Sequence, residues 1–121
     1  MCGDFEGKVT GDPALAVWCH CGLCRQQCGS AMQLGVFEKL EVLKGDDKLI
    51  AYEAQPGSGT IRKSCSKCGS FVYKVLGNGA MVAPLGALSG EVVKPTCHIF
   101  VADKGDQEVM FPELPQHDAM P

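Results

Sequence analysis

Three cysteines fall within the six residues Cys19-His20-Cys21-Gly22-Leu23-Cys24, and this spacing constrains the fold more than anything else in the chain. A core does not need sulfur at that density. Three neighbours so close cannot pair with one another as disulfides without strain. The pattern Cys-x-Cys-x-x-Cys is that of a metal-binding loop. A second stretch answers it, Ser64-Cys65-Ser66-Lys67-Cys68-Gly69, and Cys2 stands near the start of the chain. Together these residues are read as holders of two zinc ions, one of them open enough to do chemistry.

The chain has 121 residues and eight cysteines. No basic-then-apolar leader precedes the cysteines, and no apolar run of about 18 residues exists to span a membrane. A cysteine-rich chain of this kind is expected to be a cytoplasmic metal protein rather than a secreted disulfide scaffold. Its length predicts a single domain over residues 1–121. The net charge is −3, and the lysines are scattered rather than clustered. That pattern argues against a nucleic-acid partner.

Fifteen glycines and seven prolines predict many turns and short strands. Strands are expected around Phe5 to Val9, over Leu15–Cys19, Ala31–Phe37, Leu40–Leu43 and Leu49–Tyr52, on either side of the Cys65/Cys68 pair, over Ala80–Pro84, and over His98–Ala102. Gly22–Cys28 predicts one short helical stub stopped by Gly29. Asn78-Gly79 is a hairpin signal. The tail from Met110 carries Pro112, Pro115 and Pro121, and is expected to run extended and pack through Phe111 and Leu114. Strand, Cys-x-x-Cys-Gly, strand is the pattern of a zinc knuckle, in which glycine permits the left-handed turn and backbone amides face the thiolates.

Counting ligands leaves two arrangements. In the first, Cys19, Cys21 and Cys24 form a local triad with no obvious fourth member, which is how an open zinc site looks. Cys65 and Cys68 then belong to another site, with Cys2 a candidate third ligand. In the second, two cysteines of the triad join Cys65 and Cys68 in one closed, purely structural site.

Around the triad, Arg25 could meet a substrate carboxylate, or make a capping or salt-bridge contact. His20, between two ligands, is expected to point away from the metal and bond a carbonyl. His98 is expected to be a satisfied structural histidine. Cys28 reads as a buried free thiol, and Cys97 as a core residue. Gly29-Ser30 could offer an amide and a hydroxyl to substrate, or be a turn. Trp18, Phe37, Phe71 and Phe100 read as core.

The order Cys2-Gly3, Cys19-His20-Cys21-x-x-Cys24-Arg25, Gly29-Ser30, Cys65-x-x-Cys68-Gly69-Ser70, Leu85-Gly86-Ala87-Leu88, Pro95 and His98-Ile99-Phe100-Val101 resembles the glutathione-dependent formaldehyde-activating enzyme family, which includes centromere protein V. The resemblance covers nearly the whole chain. It implies a mainly β fold of short coiled antiparallel sheets, the β-tent. It implies an open zinc on Cys19, Cys21 and Cys24 and a structural zinc on Cys2, Cys65 and Cys68. Members usually begin Cys-x-Cys-Gly, and this sequence matches only the second cysteine, so the structural site is one ligand short. Water, the Met1 amino group, another side chain or a neighbouring chain would complete it. The implied activity is that of a carbon–sulfur lyase acting on a glutathione–formaldehyde adduct, or on another small thiol or aldehyde. Arg25 and Ser30 are candidate substrate contacts. A non-catalytic zinc-stabilised binding module, and an enzyme of this scaffold with an unrelated substrate, are the competing readings. The chain lacks the charged extensions that such binding modules carry.

Overall fold

The structure is a computed structural model and describes residues 1–121. It is mainly β. The strands are β1 (Glu6–Val9), β2 (Leu15–Cys19), β3 (Met32–Phe37), β4 (Leu40–Lys44), β5 (Leu49–Tyr52), β6 (Ile61–Cys65), β7 (Phe71–Val75), β8 (Met81–Pro84) and β9 (Cys97–Ile99), and α1 (Gly22–Cys28) is the one α-helix. No helix is long and apolar enough to cross a membrane. The chain divides into two compact units, Met1–Ala14 with Val36–Ala83, and Leu15–Gly35 with Pro84–Pro121.

In the first unit β1 pairs antiparallel with β4, and β5, β6, β7 and β8 follow one another as an antiparallel run. Short connections dictate the run from β5 to β8, since a short turn returns the chain antiparallel. Asn78-Gly79 makes the β7–β8 turn, where the Gly79 N–H bonds the Leu76 carbonyl at 2.8 Å. Gly45, at φ 85°, makes the turn after β4. A Cβ there would run into the Asp4 carbonyl, so this glycine is what lets the N-terminal segment lie against the turn. Buried Tyr73 anchors the same turn. Its hydroxyl donates to Asp46 Oδ1 at 2.7 Å, Lys63 Nζ reaches Asp46 Oδ2 at 3.2 Å, and the Phe5 ring lies 5.9 Å from the Tyr73 ring.

In the second unit β2 lies between β3 and β9. Its pairing with β9 is parallel, with Val17 opposite Cys97, Trp18 opposite His98 and Cys19 opposite Ile99. A parallel pair needs a long crossover, and nearly eighty residues of chain separate these two strands. Ala16, Val17, Leu34, Leu85, Cys97 and Ile99 are buried here. The tail runs beside β9: the His98 N–H donates to the Pro115 carbonyl and the His117 N–H to the His98 carbonyl, both at 2.9 Å.

The strand expected over His98–Ala102 is shorter than its apolar pattern suggests. It ends at Ile99, because Phe100 takes φ 54°, a left-handed conformation that cannot continue a strand, and a 3-10 turn follows over Val101–Asp103. The helix covers the expected Gly22–Cys28. It closes at Gly29, whose N–H bonds the Arg25 carbonyl at 2.7 Å.

Candidate metal centre

Each cysteine of the triad is placed by a different piece of local structure. Cys19 is the last residue of β2, and it is buried. Cys21 is the N-cap of α1, with extended backbone (φ −60°, ψ 151°). Its sulfur accepts the Cys24 N–H at 3.4 Å, as an N-cap oxygen would. Cys24 sits in the first turn of the helix with no exposed surface. Strand end, cap and first turn thus bring the three sulfurs within 4.8 Å of one another. Without a cation they cannot all ionise. Hydrogen bonds from Cys19 to the Cys21 and Cys24 sulfurs, followed by burial, push its thiol far above the ordinary cysteine value. A divalent cation removes that penalty, since metal ligation deprotonates a thiol outright.

Cys2, Cys65 and Cys68 form a second group, again within 4.8 Å. Cys65 closes β6 and is buried, Cys68 is half-buried, and Cys2 is exposed. The knuckle is built as its sequence suggests. The Gly69 N–H bonds the Cys65 carbonyl at 2.9 Å, Gly69 takes φ 77°, and the Cys68 N–H points at Cys65 Sγ at 3.5 Å. The Ser70 hydroxyl, 3.4 Å from Cys68 Sγ, leads the interactions that pull that thiol down to about 5, with the Ser70 and Cys2 backbone amides adding to it. The Met1 amino group donates to the same hydroxyl oxygen at 3.2 Å.

Both groups fit zinc. Every donor is a thiol, the soft ligand zinc prefers, and none of the eight cysteines is in a disulfide. Each group draws its three members from within one of the two compact units. Neither group includes a fourth cysteine, histidine, aspartate or glutamate.

The flanking residues depart from expectation in instructive ways. His20 does not bond a carbonyl through its ring. Its Nε2 lies 2.9 Å from Nδ1 of His98, and both rings are fully buried. Burial, and then the neighbouring His98, push the His20 pKa below its ordinary value. The Phe111 N–H donates to His98 Nε2 at 3.3 Å, so that nitrogen carries the lone pair. His98 therefore holds its proton on Nδ1 and donates it to His20 Nε2, which leaves the His20 proton on Nδ1. His20 Nδ1 is buried and has no partner. The Trp18, Phe111 and His98 rings cluster as a triangle, the Trp18 and Phe111 centroids 6.5 Å and 6.2 Å from that of His98 and 5.6 Å from each other.

Arg25 follows the structural alternative in part: Nη1 donates to the Asp103 carbonyl at 2.8 Å, while Nε is buried without a partner. The Gly29 amide is engaged in the helix cap, and the Ser30 hydroxyl donates to the Ala31 carbonyl at 2.9 Å. Cys28 is exposed rather than buried, because it lies on the outer side of the last helical turn, where its thiol reaches the Ser30 carbonyl at 3.1 Å. Cys97 is buried, as expected, and burial raises its thiol pKa. Phe37 is fully buried, whereas Trp18, Phe71 and Phe100 are half-buried. The His20–His98 contact joins residues 78 apart, and no local pattern announces it. Ser70 is different: its place directly after the knuckle was a usable signal.

The geometry can be set beside known proteins. Among curated proteins none matches. A crystal structure of a Rhodobacter sphaeroides protein superposes with a TM-score of 0.60 at 22% identity, covering 74% of this chain and 84% of that one. That likeness concerns the fold. A family model described as glutathione-dependent formaldehyde-activating enzyme matches residues 1–103, which contain both cysteine groups. With its two thiol groups each gathered around a strand end, the chain belongs to the glutathione-dependent formaldehyde-activating enzyme family.

Proposed function

We propose that this protein is a zinc-dependent carbon–sulfur lyase-like enzyme that makes or breaks the adduct of a small thiol, glutathione foremost, with formaldehyde or another small aldehyde. The observation that carries the reading is the triad itself: three thiols within 4.8 Å, with no fourth protein ligand in the group. Zinc held there would supply an open position that keeps a substrate sulfur as thiolate at neutral pH. Three thiolates leave such a centre net negative, which suits a soft sulfur better than a strongly polarised carbonyl.

The chain's own residues set the rest. Cys19 and Cys24 are buried and keep water from the inner side of the triad, while half-exposed Cys21 marks the side by which a substrate enters. The Arg25 guanidinium, anchored through Nη1, offers a fixed positive charge to a carboxylate. Ser30 has its hydroxyl proton engaged with Ala31 and can accept a hydrogen bond on its oxygen. In the forward direction a thiol adds across the aldehyde C=O: a carbon–sulfur bond forms, and the thiol proton ends on the former carbonyl oxygen. The reverse breaks that bond and returns thiol and aldehyde. The Cys2, Cys65 and Cys68 group, placed on the knuckle, would hold a structural zinc.

The test is a titration of the cobalt-substituted protein with glutathione, following the thiolate-to-metal absorption. Millimolar glutathione should change the band, and added formaldehyde should change it again. An unaltered spectrum at saturating glutathione would sink the glutathione reading. If extended X-ray absorption on the zinc protein found four protein sulfurs around every zinc, the open site itself would be lost.

A further inference from the structure

We propose that His98 is a positioning residue for the triad: its ring holds His20, and His20 in turn sets the directions of the Cys19 and Cys21 sulfurs. A single residue separates these two cysteines, so the backbone of His20 decides how their sulfurs stand to one another. Two bonds fix that residue. Its N–H donates to the Ile99 carbonyl at 3.0 Å, and its ring Nε2 lies 2.9 Å from His98 Nδ1. The holder is itself held. The tail bonds the His98 main chain at both its N–H and its carbonyl, and the Phe111 N–H donates to His98 Nε2 at 3.3 Å. The role rests on the triad holding a metal, as proposed above, and not on the substrate.

Burial alone does not account for a histidine pair here. Both side chains are 1% exposed, and the Trp18 and Phe111 rings pack near His98, a setting in which apolar side chains would serve. The polar chain ends instead in a buried N–H at His20 Nδ1 without a partner, a cost that an apolar pair would avoid. What the polar pair adds is direction. A hydrogen bond fixes which way a ring faces, whereas apolar burial is non-directional. The direction is also one-way. The Phe111 amide makes His98 Nε2 an acceptor, so the His98 proton sits on Nδ1 and points at His20. Direction matters at this place because three sulfurs, already within 4.8 Å of one another, have to converge on one ion at tetrahedral angles.

The test loads the full chain with ¹¹³Cd and reads the metal by NMR, with the Cys2, Cys65 and Cys68 group as internal control. The unsubstituted chain should give two signals, and Cys24→Ser should remove the one that belongs to the triad. Two variants then separate direction from packing. His98→Asn gives up ring volume and the Phe111 bond, but keeps an N–H donor where Nδ1 stands. His98→Phe keeps the ring and loses both nitrogens. Positioning predicts that Asn leaves the triad signal near its place. Phe should move that signal and weaken cadmium at the triad about tenfold in chelator competition, with the control signal unmoved. A histidine that only fills the core predicts the reverse order, because Asn leaves a cavity and Phe does not. That reverse order, an unmoved triad signal in His98→Phe, or equal changes at both metals would overturn the proposal. A chain without a triad signal would overturn the metal reading, and this role with it. If His98→Phe does not fold, His98→Gln takes its place: it can meet the Phe111 N–H but gives up the Nδ1 donor, so its triad signal should move, and an unmoved one would again overturn the proposal.

Discussion

Cys2 Sγ lies 3.6 Å from Cys65 Sγ, although 63 residues of chain separate them. Two thiolates on a tetrahedral zinc with bonds near 2.3 Å stand about 3.8 Å apart. The two sulfurs thus already stand at the spacing of one edge of such a site. Cys65→Ser should lower the zinc content from two ions per chain to one and reduce thermal stability, because metal affinity in such sites is folding free energy. Elemental analysis with a melting curve checks both. Retention of two zincs would remove Cys65 from the ligand set.

Cys24→Ser should have the complementary effect. Zinc should leave the triad while the knuckle keeps its own, and the cobalt protein should lose its response to glutathione. Cys21→Ala should remove a ligand and also the N-cap of α1, adding a helix penalty of about 1 kcal/mol. Comparing Cys21→Ala with Cys21→Ser in metal-free protein isolates that penalty; equal stability would show that the sulfur does not cap the helix.

Stability in acid should carry the signature of Asp46. The Tyr73 hydroxyl, assisted by Lys63, holds this carboxyl below its ordinary value. A depressed carboxylate contributes stability above its unfolded pKa, near 3.9, and loses it as pH falls through the folded value. The stability difference between the unsubstituted chain and Asp46→Asn should therefore be constant from neutral pH to about pH 4 and shrink below it. The side chain is 45% exposed, so the difference at neutral pH should be about 1 kcal/mol at most. Urea denaturation across pH measures this, and a difference that grows in acid would contradict it.

Gly45→Ala should be costly although the residue touches neither sulfur group. It combines a left-handed backbone with a Cβ placed against the Asp4 carbonyl. A loss of about 2 kcal/mol or more is expected, with weaker zinc at Cys2, since the displaced segment carries that ligand. A variant as stable as its parent would mean that the N-terminal segment does not lie against this turn.

Much of this molecule is written in local pattern. Asn78-Gly79 forces a hairpin, Cys65-x-x-Cys68-Gly69 forces a knuckle, and both appear where the sequence puts them. The gathering of the triad was equally readable, because its three sulfurs come from six residues and their geometry is decided by one strand end and one helix cap. What escaped depends on distant partners. His20 gave no sign that it would meet His98, and only the parallel register of β2 on β9 brings the two together. The apolar run after His98 read as a longer strand, because nothing in Phe100 itself announces a positive φ. Cys28 looked like a core thiol by residue type, but its place at the end of a short helix turned it outward.

The parallel partnership of β2 with β9 also sets a timetable. During synthesis Cys19, Cys21 and Cys24 emerge early, yet the strand that flanks Cys19 is made almost eighty residues later. Contacts so distant along the chain form late, after most of the closure entropy has been overcome. The Cys65 knuckle is local and can close on its own as soon as it is made. Metal would thus reach the knuckle while the chain is still growing, and the reactive triad would be finished last, when nearly all of the protein around it is in place.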